Sequence, residues 1–184
     1  MAEESFGLRD GAAHAQSTVA VHTASATLGS HGLHLVDSLA EAAGAFTASE
    51  VAAMREIFTT LLGTSASRPL ASPPAYTSDV VDDHTPYELS VALGVSPELR
   101  MLVEPVDRDL SLRGRWRTAR AAGEWLRDRH GIDMARLDEV ADLFEPRTEY
   151  GLLALWYAIV FRPGQPPDAK AYVDLRARGT YNTA

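Results

Sequence analysis

Apolar residues recur with two different periods along the chain, and the switches between them divide it into elements. Leu33, Val36, Ala40 and Ala43 fall at helical spacing. Thr47-Ala-Ser-Glu50 then reads as a capping box, since its hydroxyl and its carboxylate can each take a backbone N–H from the other end of the turn. Val51, Met54, Phe58, Leu61 and Leu62 share one face of the helix that follows, and Gly63 stops it. Residues 64–80 carry Pro69, Pro73 and Pro74 and read as a loop. Tyr87–Leu93 and Leu99–Glu104 alternate with the period of two of a half-buried strand, and Gly94-Val-Ser-Pro97 between them marks a hairpin. A second helical stretch spans about 113–130 and ends at Gly131, and Asp133 can cap a pattern of Leu137, Val140, Ala141 and Phe144. Strands over about 150–161 and 168–174, joined by Pro163-Gly-Gln-Pro-Pro167, complete the pattern.

The predicted order is α-α-β-β-α-α-β-β, an architectural repeat of two helices and a hairpin. The fold class is therefore α+β, an antiparallel sheet with helices packed on one face. Residues 1–32 are rich in Ala, Ser, Thr and His with little periodicity and read as a flexible leader, residues 33–179 as the folded unit, and residues 180–184 as a tail.

Alternation assigns the strand faces. Tyr87, Leu89, Val91 and Leu93 share one side and Glu88, Ser90 and Ala92 the other; Leu99, Met101 and Val103 oppose Arg100, Leu102 and Glu104. A loop over 94–98 would pair Leu93 with Leu99 and set Glu88 opposite Glu104, with Arg100 on the same face. In the second hairpin, Leu153, Leu155, Tyr157, Ile159 and Phe161 suit packing against helices, whereas Ala154, Trp156, Ala158 and Val160 leave room. Lys170, Tyr172 and Asp174 share a face opposite Ala171 and Val173. The polar candidates all carry even numbers and can therefore look the same way. Such a face is either solvated or the floor of a cavity in which Arg100 and Lys170 hold an anion and Glu88 accepts a hydrogen bond or acts as a base. Paired glutamates argue for the cavity, because like charges directly opposite each other need an intervening cation.

Composition narrows the chemistry. The 184 residues, with 46% hydrophobic and 23% charged, are ordinary globular values. With no cysteine there is no disulfide framework, zinc-thiolate site or thiol nucleophile. A formal net charge of −8 argues against nucleic acid as a partner. Lys170 is the only lysine among 17 basic residues, so the chain has one ammonium group to offer. The first thirty residues lack the basic start and apolar run of a signal peptide, and no stretch approaches the roughly 18 apolar residues of a membrane span. A cytoplasmic protein without a membrane partner is expected.

The segments bearing these residues resemble a known family. Asp82-Asp-His-Thr-Pro-Tyr-Glu-Leu-Ser90, Pro97-Glu-Leu-Arg-Met-Leu-Val-Glu104, Asp138-Glu-Val-Ala-Asp-Leu-Phe144, Pro166-Pro-Asp-Ala-Lys-Ala-Tyr172 and Ala177-Arg-Gly179 are similar to segments of the indole and aromatic prenyltransferases of the dimethylallyltryptophan synthase type. The similarity runs from about residue 33 to 179, corresponding to the N-terminal half of such an enzyme. It implies part of a ten-stranded antiparallel barrel of α-β-β-α units, with the active site inside and helices outside. It also implies transfer of a prenyl group, usually dimethylallyl, from its diphosphate to an aromatic carbon, often on tryptophan, with no metal or other cofactor. By the resemblance Glu88 would accept the indole N–H hydrogen bond. Arg100 and Lys170 would bind diphosphate, joined by Tyr172, which belongs to the tyrosine shield around the allyl cation. Glu104, Trp156 and Asp174 would line the cavity. The family usually has Asn-Pro or Asp-Pro after the Lys-x-Tyr strand, where Asp174-Leu175 stands here.

Four strands do not close a barrel. The resemblance therefore implies a homodimer or a complementary half-barrel chain. Its alternatives are a non-catalytic family member or partner subunit, and a small-ligand binding protein using the same face. Other signals have plainer readings. Asp82-Asp83 resembles the Mg²⁺ motifs of isoprenoid enzymes but has no second acidic cluster and sits where a turn is needed. Arg113, Arg115, Arg117, Arg120, Arg127 and Arg129 are broken up by Asp109, Glu124 and Asp128, as on a solvated helix face. Trp116 and Trp125 on that helix read as packing residues. His14, His22, His31 and His34 lack a carboxylate or cysteine to complete a metal site.

Overall fold

The structure, a computed structural model, describes residues 18–20, 31–70, 72–74, 76–105, 109–151 and 153–174. The leader apart from 18–20 and 31–32, the histidines at 14 and 22, the segment 177–179 and the tail lie outside the described residues. The elements in chain order are β1 (Thr18–Ala20), α1 (Gly32–Ala43), α2 (Ala48–Leu62), a 3₁₀ turn (Gly63–Ser67), β2 (Tyr87–Ala92), β3 (Glu98–Val103), α3 (Leu112–His130), α4 (Ala135–Phe144), β4 (Leu155–Phe161) and β5 (Asp168–Val173). The five strands form one antiparallel sheet in chain order, β1 to β5.

The helix termini follow from local chemistry. The His31 ring accepts the His34 N–H as the N-cap of α1, which is the use the fold makes of that histidine pair. The Thr47/Glu50 capping box is present at α2, and the second Glu50 oxygen reaches across to the Gly164 N–H at 2.6 Å in the β4–β5 turn. Gly164 has φ +71°, a conformation that disfavours a side chain. Ser111 caps α3, and Gly131 ends it in the left-handed region. Asp133 accepts the Ala135 N–H at the start of α4.

Odd-numbered strand residues build the core. Leu89, Val91, Leu99, Met101, Val103, Leu155, Tyr157, Ile159 and Phe161 are buried in one cluster with Met54, Ile57 and Phe58 of α2 and Trp116, Ala119 and Leu126 of α3. Trp116 is thus a core residue, and Trp125 lies half-buried with its ring edge-on to His130. Tyr157 donates its hydroxyl to the Ala119 carbonyl at 2.9 Å, which fixes α3 on β4.

The hairpin register differs from the sequence expectation by two residues. Ala92 pairs with Glu98 and Glu88 with Leu102, so Glu88 is not opposite Glu104. The loop becomes Leu93–Pro97. Faces survive a two-residue shift because the side-chain period is two. The shift separates two like charges and releases Glu104 from the ladder. Two further boundaries move. Strand β4 begins at Leu155 rather than near 150, and Thr18–Ala20, within the stretch read as a leader, pairs alongside Tyr87–Ala92 as the edge strand.

Candidate functional site

The face opposite the helices collects the even-numbered residues in rows fixed by the register. One row runs Glu88, Leu102, Ala158, Lys170; the next runs Ser90, Arg100, Val160, Asp168; Trp156 and Tyr172 are paired beyond the first. Glu88, Ser90, Leu102, Trp156 and Ala158 are half-buried, Arg100 and Lys170 are exposed, and Tyr172 is 47% exposed. With strands about 4.8 Å apart, the backbones at Glu88 and Lys170 stand about 14 Å from each other, with Arg100 between them one row along.

The site residues differ sharply from the other charged groups in what they contact. Glu88, Lys170 and the Tyr172 hydroxyl form no hydrogen bond or ion pair with another described residue. The indole N–H of Trp156 is buried and has no acceptor among the described residues. Arg100 uses Nε to bind Glu98 Oε1 at 2.5 Å, while Arg162 Nε lies 2.9 Å from Glu98 Oε2. Asp174 follows β5 directly and is half-buried.

Glu104 stands apart from this set. Its carboxylate, 1% exposed, accepts from Ser78 Oγ at 2.7 Å and pairs with Arg115 Nη1 of α3 at 3.0 Å. Its own N–H donates to the Pro86 carbonyl at 2.9 Å. The residue predicted to line a cavity instead anchors α3 and the 76–86 segment to the end of β3. That segment leads into β2, so the anchor sets where Glu88 begins its strand. Tyr76 packs beside the pair, and burial together with the Glu104 charge pushes its phenol well above the usual range.

The arginines of α3 are each engaged. Arg117 meets Asp109, Arg120 and Arg127 share Asp138, Arg129 meets Glu56, and Arg113 donates to the Pro146 carbonyl. Glu56 is held below the usual carboxylate range chiefly by its hydrogen bond from Arg129. This helix presents locally neutralised charge. Asp83 accepts the Thr85 N–H at 2.9 Å, the turn role predicted for that pair. Among the described residues no three His, Asp or Glu side chains gather as a metal site, and no helix is long and apolar enough to cross a membrane.

Sequence reasoning missed Glu98, Arg162 and Asp168. Parity was the available signal, since all three are even-numbered in or beside strands whose even face is the open one.

Solved structures share this arrangement. Prenyltransferase PriB in its apo form matches with a TM-score of 0.66 at 39% identity, over 77% of this chain and 40% of that one. The 5-dimethylallyltryptophan synthase from Streptomyces coelicolor matches with a TM-score of 0.69 at 36% identity, over 80% and 43%. The 6-dimethylallyltryptophan synthase from Micromonospora olivasterospora, solved in complex with DMASPP and Trp, matches with a TM-score of 0.62 at 35% identity, over 76% and 40%. No family model and no curated protein matches the sequence. The resemblance drawn from the motifs holds in three dimensions: these neighbours are tryptophan prenyltransferases, and the chain spans 40–43% of their length.

Proposed function

We propose that residues 33–179 form the N-terminal half of an aromatic prenyltransferase barrel of repeated ααββ units, transferring a dimethylallyl group from its diphosphate to an aromatic acceptor such as tryptophan. One observation carries the reading. Glu88, Arg100, Lys170 and Tyr172 lie on one open sheet face, in a fold 35–39% identical to the tryptophan prenyltransferases above.

The geometry suits two substrates side by side. Breaking the allylic C–O bond leaves an electron pair on the diphosphate and a delocalised cation behind it. Arg100 and Lys170, toward β5, stabilise the departing anion, the guanidinium as a flat fork and the ammonium as a point charge. Tyr172 presents an aromatic face to the allyl cation. Glu88, one row from Arg100 on the β2 side and with no hydrogen bond or ion pair among the described residues, accepts the indole N–H and enriches the ring whose carbon attacks. The ring carbon then bonds to the allyl cation, and the proton on that carbon passes to the departed diphosphate, which restores aromaticity.

A cation at this face needs cover, because water reaches Tyr172 and would quench it. We infer that a second copy of this chain or a complementary half-barrel segment supplies that cover, seated on the β5 edge, which has no further described strand beside it. The test pairs sedimentation with product analysis from dimethylallyl diphosphate and tryptophan. Prenylated tryptophan formed by a self-associated chain, and lost in Glu88→Gln, supports the reading. Turnover by a monomer overturns the assembly. No turnover by any assembled form, with the amino acid still bound, favours a binding protein on the same face.

A further inference from the structure

Within that proposed reaction, which this inference presupposes, Glu98 and Arg162 have no assigned part, yet their geometry is directed. Glu98 sits at the start of β3, and Arg162 directly follows β4 at the position that continues the β3–β4 register opposite Glu98. The carboxylate stands between two guanidiniums: Oε1 accepts from Arg100 Nε, and Oε2 lies 2.9 Å from Arg162 Nε in an ion pair. Its side chain is only 14% exposed, whereas those of Arg100 and Arg162 are 56% and 40% exposed. A bland surface ion pair leaves both members in water, but here the anion is sheltered and its two cations are not.

The choice of nitrogen matters. An arginine satisfied end-on through both terminal nitrogens has its fork occupied. Arg100 and Arg162 both come closest to the carboxylate through Nε, and their terminal Nη groups donate no hydrogen bond to a described residue. Each Nη pair remains a two-pronged donor of the shape that matches phosphate oxygens. One carboxylate against two guanidiniums leaves a local charge of about +1, and Lys170 offsets Asp168 in the neighbouring rows.

We propose that Arg100 and Arg162 form a paired guanidinium fork for the diphosphate group, with Arg162 a third binding cation beside Arg100 and Lys170 and Glu98 the positioning residue that holds both forks. Arg162 takes the terminal phosphate, the end remote from the allylic carbon, because it lies farther than Arg100 from the Glu88–Lys170 row. Glu98 contacts no substrate. It acts by fixing two long side chains in one geometry, so that less rotamer freedom is lost when the anion binds.

Calorimetry with inorganic diphosphate and with dimethylallyl diphosphate tests this on the full chain in its native assembly. Arg162→Ala is expected to weaken both ligands about tenfold or more, as loss of a charge-assisted bidentate contact does, with Arg162→Lys recovering only part of it. Glu98→Ala is expected to weaken binding although it removes a negative charge, and to leave tryptophan affinity unchanged. Purely electrostatic or structural bystanders behave otherwise. A Glu98 that merely repels the ligand gives tighter binding on removal, and a stability-only ion pair changes the melting temperature while affinity stays constant; either result overturns the proposal. A wild type that binds neither ligand overturns both this proposal and the functional reading. Wild-type binding with an unaffected Arg162→Ala variant overturns this one alone.

Discussion

Arg115→Ala should be the most damaging single change outside the apolar core. The variant would leave the Glu104 carboxylate, 1% exposed, with only the Ser78 hydroxyl to stabilise its charge. Breaking a buried pair by removing one partner costs about 3–5 kcal/mol. The lower end applies here, because Ser78 persists and the 15% exposure of Arg115 shows that water reaches the edge of the site. Arg115 also donates to the carbonyls of Leu110 and Thr77, so its loss frees two further acceptors. Equilibrium urea unfolding should therefore give a loss of about 3 kcal/mol or more. The reverse deletion is asymmetric. In Glu104→Gln the amide keeps the Ser78 contact and the guanidinium left behind is partly hydrated, for a cost of about 1–2 kcal/mol. The double variant Glu104→Met/Arg115→Met removes both charges and should be more stable than Arg115→Ala alone. An Arg115→Ala cost below about 1 kcal/mol, the level of an exposed pair, would refute the burial argument. So would a double variant worse than Arg115→Ala.

Two other positions give clean tests. A Cβ built on Gly123 lies 2.5 Å from the Tyr157 hydroxyl oxygen, so Gly123→Ala should destabilise by about 1–3 kcal/mol despite better helix propensity, and adding Tyr157→Phe should recover part of the loss in thermal unfolding. Glu50 is held below the usual carboxylate range by the Thr47 N–H first, then the Thr47 hydroxyl and the Gly164 N–H. A depressed carboxylate contributes stability above its unfolded pKa and loses it as pH falls through the folded value. Glu50→Gln should accordingly flatten the acid limb of the stability–pH curve, and an unchanged limb would show that the cap is not coupled to folding.

The faces of the strands were legible because a period of two needs no register: Leu89, Met101 and Ile159 had to share a side whatever paired with them. Register was not legible. It depends on the loop Leu93–Pro97 and on a partner for Glu104 that lies on another element. Arg115 reads as one of six arginines on a solvated helix, and nothing in its spacing separates it from Arg113 or Arg117. Only packing α3 against the sheet decides which arginine meets the end of β3. Strand β1 was invisible for a different reason, since Thr18–Ala20 offers three residues without alternation and owes its form to the edge it joins.

That same packing separates structural charge from charge held in reserve. In a chain of net charge −8, acids outnumber bases, so every cation has candidate partners nearby. Six arginines of α3 find a carboxylate or carbonyl, and Arg55 finds Asp37. Lys170, the only lysine, finds none among the described residues, even though Asp168 lies two residues away on the same face. Adjacent same-face residues on a strand stand about 7 Å apart, within reach of a flexible four-carbon stem, so leaving them unpaired is not a matter of distance. The pairing of Arg100 and Arg162 through Nε alone has the same character. Stability is supplied by charges the fold has already satisfied, on the helix side and at the ends of strands. Among the described residues, the open face leaves Lys170, the terminal nitrogens of Arg100 and Arg162, and the Glu88 carboxylate without a hydrogen-bond partner. The proposed reaction would bring an anion to those cations and a hydrogen-bond donor to Glu88, in the order the register sets them.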